Sequence, residues 1–303
     1  MSAVPSRRRV AAEFILVTLI WGSTWLVIKD QISSVPAGWT VTWRFALASL
    51  GMALLALVRG ESLKLGREAW LLAAAVGLFQ FFGNFQFVYR AEHYLTSGLV
   101  AVLYALLMVP NAALSRLFLK VPLGGRFLMG SGVAITGIAL LLLHEYRSAP
   151  AAVASLTGGS VALGIALTLG GLLCASAANV LQATQLARQQ AVVPLIAWAM
   201  VIGTLADAVF SWLVSGPPTF DPRPQYWGGV AYLALIGSVV TFPLYFGLIR
   251  HMGAGKAAYN GVAVPVVAMT LSTLFEGYHW GALAIGGSVL AMTGLLIALS
   301  GRK

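Results

Sequence analysis

Charged and amide side chains set inside long apolar stretches are where any chemistry of this chain must lie. Three ionisable residues qualify: Arg44, preceded by Trp43, Asp207, and Glu13 near the start of the first stretch. A charge within hydrocarbon costs about 2.5–3.5 kcal/mol on insertion scales, so each is a candidate for binding, coupling or anchoring. Arg44 would either anchor a helix end through carbonyls and headgroups or meet a ligand carboxylate. Asp207 would be a proton site if burial holds it neutral, and a structural group otherwise. Glu13 lies close enough to the end of its stretch to snorkel out.

Uncharged polar and aromatic residues are more numerous, and they fall in stripes. Trp21-Gly22-Ser23-Thr24-Trp25 puts Trp21 and Trp25 one helical turn apart. Gln80 and Asn84 repeat that spacing among Phe79, Phe81, Phe82, Phe85 and Phe87. Ser97 with Tyr104, Asn179 with Gln182 and Gln185, Thr241 with Tyr245, and Tyr259 with Asn260 complete the set. An amide facing lipid would leave donors unpaired, so these stripes turn inward. They either bond helix to helix or line a polar cavity, and their presence in both halves favours the cavity. The expected lining is Trp21, Ser23, Gln80, Asn84, Tyr104, Asn179, Tyr245 and Asn260, with Asp207 and Arg44 as coupling or anchor residues.

Several chemistries are excluded. Gly253-Ala254-Gly255-Lys256 lacks the hydroxyl residue that follows the lysine of a phosphate-cradling loop, so ATP-driven pumping by this chain is not expected. His93, His144, His251 and His279 fall at the ends of apolar stretches, away from any metal-ligand spacing. No nucleophile, base and orienting group can be assembled at depth. We therefore expect neither an enzyme nor a cofactor or metal.

The elements that position these residues follow from composition. Apolar residues make up 59% of the 303 and charged residues 9%, and mean hydropathy is +0.87. Soluble domains carry about 25% charged residues, so this is an all-α integral membrane protein. Apolar runs near 10–29, 37–58, 68–90, 94–118 and 124–143, then 160–187, 193–214, 226–250, 253–275 and 280–300, predict ten transmembrane helices. The sixth is the weakest, its end made polar by Gln182, Gln185, Arg188, Gln189 and Gln190. Arg7-Arg8-Arg9 before the first run resembles a secretory leader, but no small-residue cleavage site follows, so the run is expected to be retained. The single Cys174 excludes an intramolecular disulfide.

The chain also repeats itself. Leu114-Ser115-x-Leu117-Phe118 with Ala134-x-Thr136-Gly137 returns as Leu271-Ser272-x-Leu274-Phe275 with Ala291-x-Thr293-Gly294, at a constant offset of 157 residues. Residues 1–147 thus form one five-helix repeat, 148–159 an Ala/Ser/Gly-rich connecting loop, and 160–303 a second repeat. Five crossings per unit invert the second copy, and inverted repeats are the architecture of secondary transporters. Pro110 and Pro265 fall in the corresponding fourth and ninth spans and Pro243 in the eighth, where each would bend its helix.

Charge orients the model. Arg7, Arg8, Arg9, Arg59, Lys64, Arg67, Arg116, Lys120, Arg126, Arg188, Arg250, Lys256, Arg302 and Lys303 fall on one side, and Lys29, Arg90, Arg147 and Arg223 on the other. Asp30, Glu92, Glu145, Asp221 and Glu276 lie on the second side. The positive-inside rule then puts both termini in the cytoplasm of a multi-pass inner-membrane protein. The net charge of +10 is topology, split among short loops, and nucleic-acid binding is not expected.

Trp21-Gly22-Ser23-Thr24-Trp25-Leu26-Val27-Ile28-Lys29, then Pro36 and Arg44-Phe45-Ala46-Leu47-Ala48, resemble the opening signature of the drug/metabolite transporter superfamily, EamA-type branch. The second repeat departs from it: Cys174-Ala175-Ser176 stands where Trp-Gly-Ser would fall, and Ile202 near the counterpart of Arg44. The resemblance implies export of small metabolites by alternating access, through a pocket lined by spans one to four and six to nine, with spans five and ten peripheral. The Trp-rich first span looks most like that of amino-acid exporters, including aromatic ones. Physics narrows the substrate in the same direction. A phosphorylated substrate would need two or more deep cations, where the chain offers Arg44 and Lys256 near a span end. A permanent cation would need deep carboxylates, and only Asp207 is present. A zwitterionic amino acid suits amides, hydroxyls and aromatic rings, with membrane lipids as the surroundings. The alternatives are a multidrug or paraquat-like cation exporter, and a lipid flippase or scramblase if the stripes form an open lateral groove.

Overall fold

The computed structural model describes residues 7–148, 151–257 and 260–300, and among these no strand occurs. In hydrocarbon every backbone donor must bond within its own segment, which apolar runs of this length achieve as helix. The helices are α1 (Arg7–Gln31), α2 (Ala37–Val58), α3 (Arg67–Ala91), α4 (Ser97–Leu119), α5 (Gly125–Ser148), α6 (Ala151–Ala183), α7 (Val192–Ser215), α8 (Pro224–Arg250, continuing to Ala257), α9 (Asn260–Phe275) and α10 (Ala282–Ser300). Eight of them, α1 to α8, are long and apolar enough to cross a membrane, and α9 and α10 hold the shorter apolar stretches Ala263–Phe275 and Ala282–Ala298. Leu50, Leu54, Leu57, Leu117, Leu213 and Val289 point outward and are exposed. So continuous an apolar exterior suits a bilayer and not water.

Three boundaries differ from expectation. The stretch 151–159, expected as connecting loop, is helical and lengthens α6, its small residues offering no break where proline is absent. The polar end of the sixth run breaks at Thr184, whose hydroxyl accepts from the Ala187 amide and starts the separate short helix Gln185–Gln189. Residues 253–257 prolong α8 where the ninth span was expected to begin, leaving α9 shorter. Tyr259 and the Lys256 side chain lie outside the described residues.

In the packing α2 lies on α7, α4 and α1 on α9, and α5 on α10. The α5–α10 contact is built from glycine. A Cβ at Gly137 would lie 2.6 Å from the Gly287 carbonyl oxygen, and one at Gly294 would lie 2.6 Å from that of Gly130. Gly130 with Gly287, and Gly137 with Gly294, share the 157-residue offset. Such small-residue faces let membrane helices approach to backbone contact. Helix ends repeat as well. Left-handed residues follow α2 (Gly60, φ 66°) and α7 (Gly216, φ 77°), and again α4 (Lys120, φ 57°) and α9 (Gly277, φ 68°).

Two departures from α-helix recur in the same manner. A π segment, Gly77–Asn84, interrupts α3, and another, Tyr232–Val240, interrupts α8. A π segment widens the helix and turns extra residues toward one side, and such segments concentrate at functional sites. In α4 a 3-10 turn, Ala105–Leu107, precedes Pro110, whose missing N–H and ring loosen the turn before it.

Candidate functional site

The π segment of α3 faces a cavity of about 120 Å³ through Gln80 and Asn84, and that of α8 ends just before the lining residues Phe242 and Tyr245. The cavity walls come from α1 (Trp21, Thr24, Trp25, Ile28), α2 (Arg44), α3 (Gln80, Asn84, Phe85, Val88), α4 (Ala101, Tyr104, Ala105, Leu107), α6 (Ala175, Asn179), α8 (Phe242, Tyr245) and α9 (Asn260, Gly261, Val264, Pro265). Among the described residues none from α5, α7 or α10 lines it.

On α1, the Trp21 indole N–H donates to Thr241 Oγ1 at 3.0 Å and to the Gly237 carbonyl at 3.2 Å, tying α1 to the π segment of α8. Its ring meets Tyr245 edge-on at 4.7 Å and Phe242 at 5.6 Å. One turn on, Trp25 tilts against Tyr104 at 5.2 Å, and its buried Nε1 donates to nothing among the described residues. Tyr104 donates to Asn84 Oδ1 at 2.5 Å. Asn260 Nδ2 donates to Thr18 Oγ1 at 3.2 Å, and Asn179 Nδ2 reaches Asn111 Oδ1 at 3.4 Å. Pro265 has no N–H to offer Gly261 four residues earlier, which frees that carbonyl within the lining.

Among the described lining residues Arg44 is the one Lys, Arg, Asp or Glu. It is 2% exposed. Nε and Nη2 both donate to Ser238 Oγ at 3.2 Å, and Nη1 donates to Tyr89 Oη at 3.1 Å. Ser238 in turn donates to the Leu233 carbonyl at 2.8 Å, inside the π segment. The guanidinium lies over Phe85 at 4.6 Å and Phe45 at 5.1 Å. Its acceptors are two neutral hydroxyls, and no carboxylate among the described residues pairs with it.

Of the expected lining, Trp21, Gln80, Asn84, Tyr104, Asn179, Tyr245 and Asn260 surround this one cavity, and Arg44 joins them. Ser23 does not line it. Its hydroxyl meets Tyr232 Oη at 2.6 Å and the Ile20 carbonyl at 2.8 Å, between α1 and α8. Asp207 is also elsewhere, buried on α7 against α3, where Gln86 Nε2 donates to Oδ1 at 2.7 Å while Oδ2 has no partner. The Gln86 carbonyl oxygen accepts from Arg90, and Arg90 lies over Phe210 at 4.9 Å. Sequence reasoning passed over Gln86, although Arg90 one turn later was a signal. It also passed over Phe242, which looks like any other apolar residue in such text, and did not single out Phe85 from the phenylalanines around Gln80 and Asn84.

At the end of α3, outside its apolar span, a second polar cluster closes the bundle. Lys29 donates to the main-chain oxygens of Glu92 and Leu95, and Ser97 donates through both its amide and its hydroxyl to Glu276. Glu92 is fully buried with both carboxyl oxygens unpartnered. Burial holds its carboxyl well above the usual carboxylate range, with Lys29 opposing the shift and Glu276 adding to it.

Known proteins resemble this chain in sequence and in fold. The model of the EamA-like transporter family matches residues 11–143 and again 162–300. Protein PagO of Salmonella typhimurium is 25% identical over 88% of this chain and 84% of its own length. An uncharacterized inner membrane transporter, YedA, of Escherichia coli is 28% identical over 90% and 86%. A probable amino-acid metabolite efflux pump of Salmonella typhimurium is 25% identical over 95% and 93%. In fold, a crystal structure at 19% identity covers 98% of this chain and 99% of its own, with a TM-score of 0.69.

Proposed function

Because the chain belongs to the EamA-like transporter family, and so transports small molecules across a membrane and is not an enzyme, we propose that it exports zwitterionic amino acids from the cytoplasm across the inner membrane. The observation that carries this reading is the central cavity, in which one guanidinium, free indole, amide and carbonyl groups and six aromatic rings face a space of about 120 Å³. Such a wall offers donors to a carboxylate, neutral acceptors and ring faces to an ammonium, and apolar contact to a side chain. Relatives that are probable amino-acid metabolite efflux pumps support it.

Export proceeds by alternating access between two inverted five-helix repeats, with both termini cytoplasmic. Supporting this are the double family match, the paired π segments, the paired left-handed helix ends and the reciprocal glycine contact of α5 and α10. A cation exporter is the weaker reading, because Asp207 stands outside the cavity. The test is release of labelled amino acids from liposomes preloaded with a mixture, with and without an imposed pH gradient. Protein-dependent release of particular amino acids is expected. No release of any of them overturns the reading.

A further inference from the structure

Resting on that reading of the cavity, we propose that Arg44 is its carboxylate-binding residue. The ligands are then monocarboxylates with an apolar or aromatic body, for which a free ammonium group is dispensable.

The first support is electrostatic. Among the described residues Arg44 brings the only formal charge to the lining, and it is buried against two hydroxyls and two phenyl faces with no counter-ion among them. An unneutralised buried charge is costly, and a bound carboxylate removes that cost. The second is the donor count. A guanidinium has five N–H groups, and three find protein acceptors. Two remain on a side chain that forms part of the cavity wall. The fork geometry of arginine matches a planar carboxylate in a way lysine cannot. The third is a further donor without a partner: the buried Trp25 Nε1, on the same wall. Around these groups, Phe85, Phe242, Trp21 and Tyr245 form a connected run of rings that suits an apolar body.

The other pole of a zwitterion meets a different environment. Neither buried acid, Asp207 or Glu92, lines the cavity. An ammonium finds there only neutral acceptors, such as the Gly261 carbonyl and the amides of Gln80 and Asn84. The carboxylate meets a full opposite charge and the ammonium does not.

Four ligands that differ only at the two poles test this: phenylalanine, phenylalaninamide, N-acetylphenylalanine and N-acetylphenylalaninamide, titrated against the purified protein in lipid nanodiscs. We expect each acid to bind at least about tenfold more tightly than its amide, since hydrogen bonds to charged groups contribute on that scale. Acetylation should change affinity by less than that. Arg44→Gln should bring acid and amide of each pair to equal affinity, and Arg44→Lys should restore part of the difference. Tyr89→Phe, which removes an anchor but not the charge, should keep the discrimination. A purely structural role for Arg44 would lower all four affinities together. That result, or equal binding of acids and amides by the unaltered protein, overturns the assignment. If none of the four binds although amino acids are released from liposomes, the assignment falls alone. If none is released either, the exporter reading falls with it.

Discussion

Among the described residues three buried ionisable side chains, Arg44, Glu92 and Asp207, form no salt bridge, and the surroundings of the first two separate their roles. Arg44 sits in the cavity wall with donors to spare. Glu92 is sealed at the end of α3 with no donor to either oxygen, so burial favours its protonated form. The sign of the pH effect follows. A carboxyl held above its ordinary value of 4.5 contributes stability fully below that pH, and the contribution is lost as pH rises through the folded value. The neighbouring His93 works the other way: burial, then Lys29 and Arg90, push it below its ordinary 6.5, so the fold weakens as pH falls beneath that value. The two are separated by difference. Thermal unfolding of the unaltered protein minus that of Glu92→Gln should show a term that weakens the unaltered protein from about pH 4.5 upward. A difference that does not change with pH would mean that Glu92 keeps an ordinary carboxylate affinity.

At the scale of elements, the ends of α4 and α9 are the same device written with different residues. Both close on a left-handed residue, Gly277 in one case and Lys120 in the other. A side chain in that conformation costs about 1–2 kcal/mol, which glycine avoids while giving some back through the freedom of the unfolded chain. Lys120→Gly should therefore stabilise the protein by about 0.5–1 kcal/mol, read as a rise in unfolding temperature in detergent or nanodiscs. An unchanged or lower temperature would mean that the lysine head makes an interaction worth the strain. The helices themselves were legible because apolar runs broken by charge and glycine dictate them, and most of the cavity wall was legible because amides and indoles cannot face lipid. Ser23 was misplaced for a geometric reason. At about 100° per residue it lies near the opposite face of α1 from Trp21 and Trp25, whose one-turn spacing identified the wall. The π segments left no mark in the sequence at all. Gly77–Asn84 has no proline near it, and Tyr232–Val240 has Pro243 only after its end.

The whole molecule turns on whether its halves are inverted, because only inversion lets equivalent elements open the cavity to opposite faces in turn. In the proposed repeats the loops after α2 and α7 would hold equivalent places, and each has a left-handed glycine near its start, Gly60 and Gly216. Their charges differ. The first carries Arg59, Lys64 and Arg67, whereas the second pairs Arg223 with Asp221 at 2.7 Å. Positive residues near span ends are retained in the cytoplasm, so equivalent loops should face opposite compartments. In a Cys174→Ser background, single cysteines at the exposed positions Lys64→Cys and Pro222→Cys can be probed on intact cells with a membrane-impermeant maleimide. The label should reach residue 222 directly and residue 64 only after permeabilisation. Labelling of both from outside would make the repeats parallel and remove the basis for alternating access. Labelling of 64 alone would keep the inversion, place both termini outside, and turn the proposed exporter to face the other way.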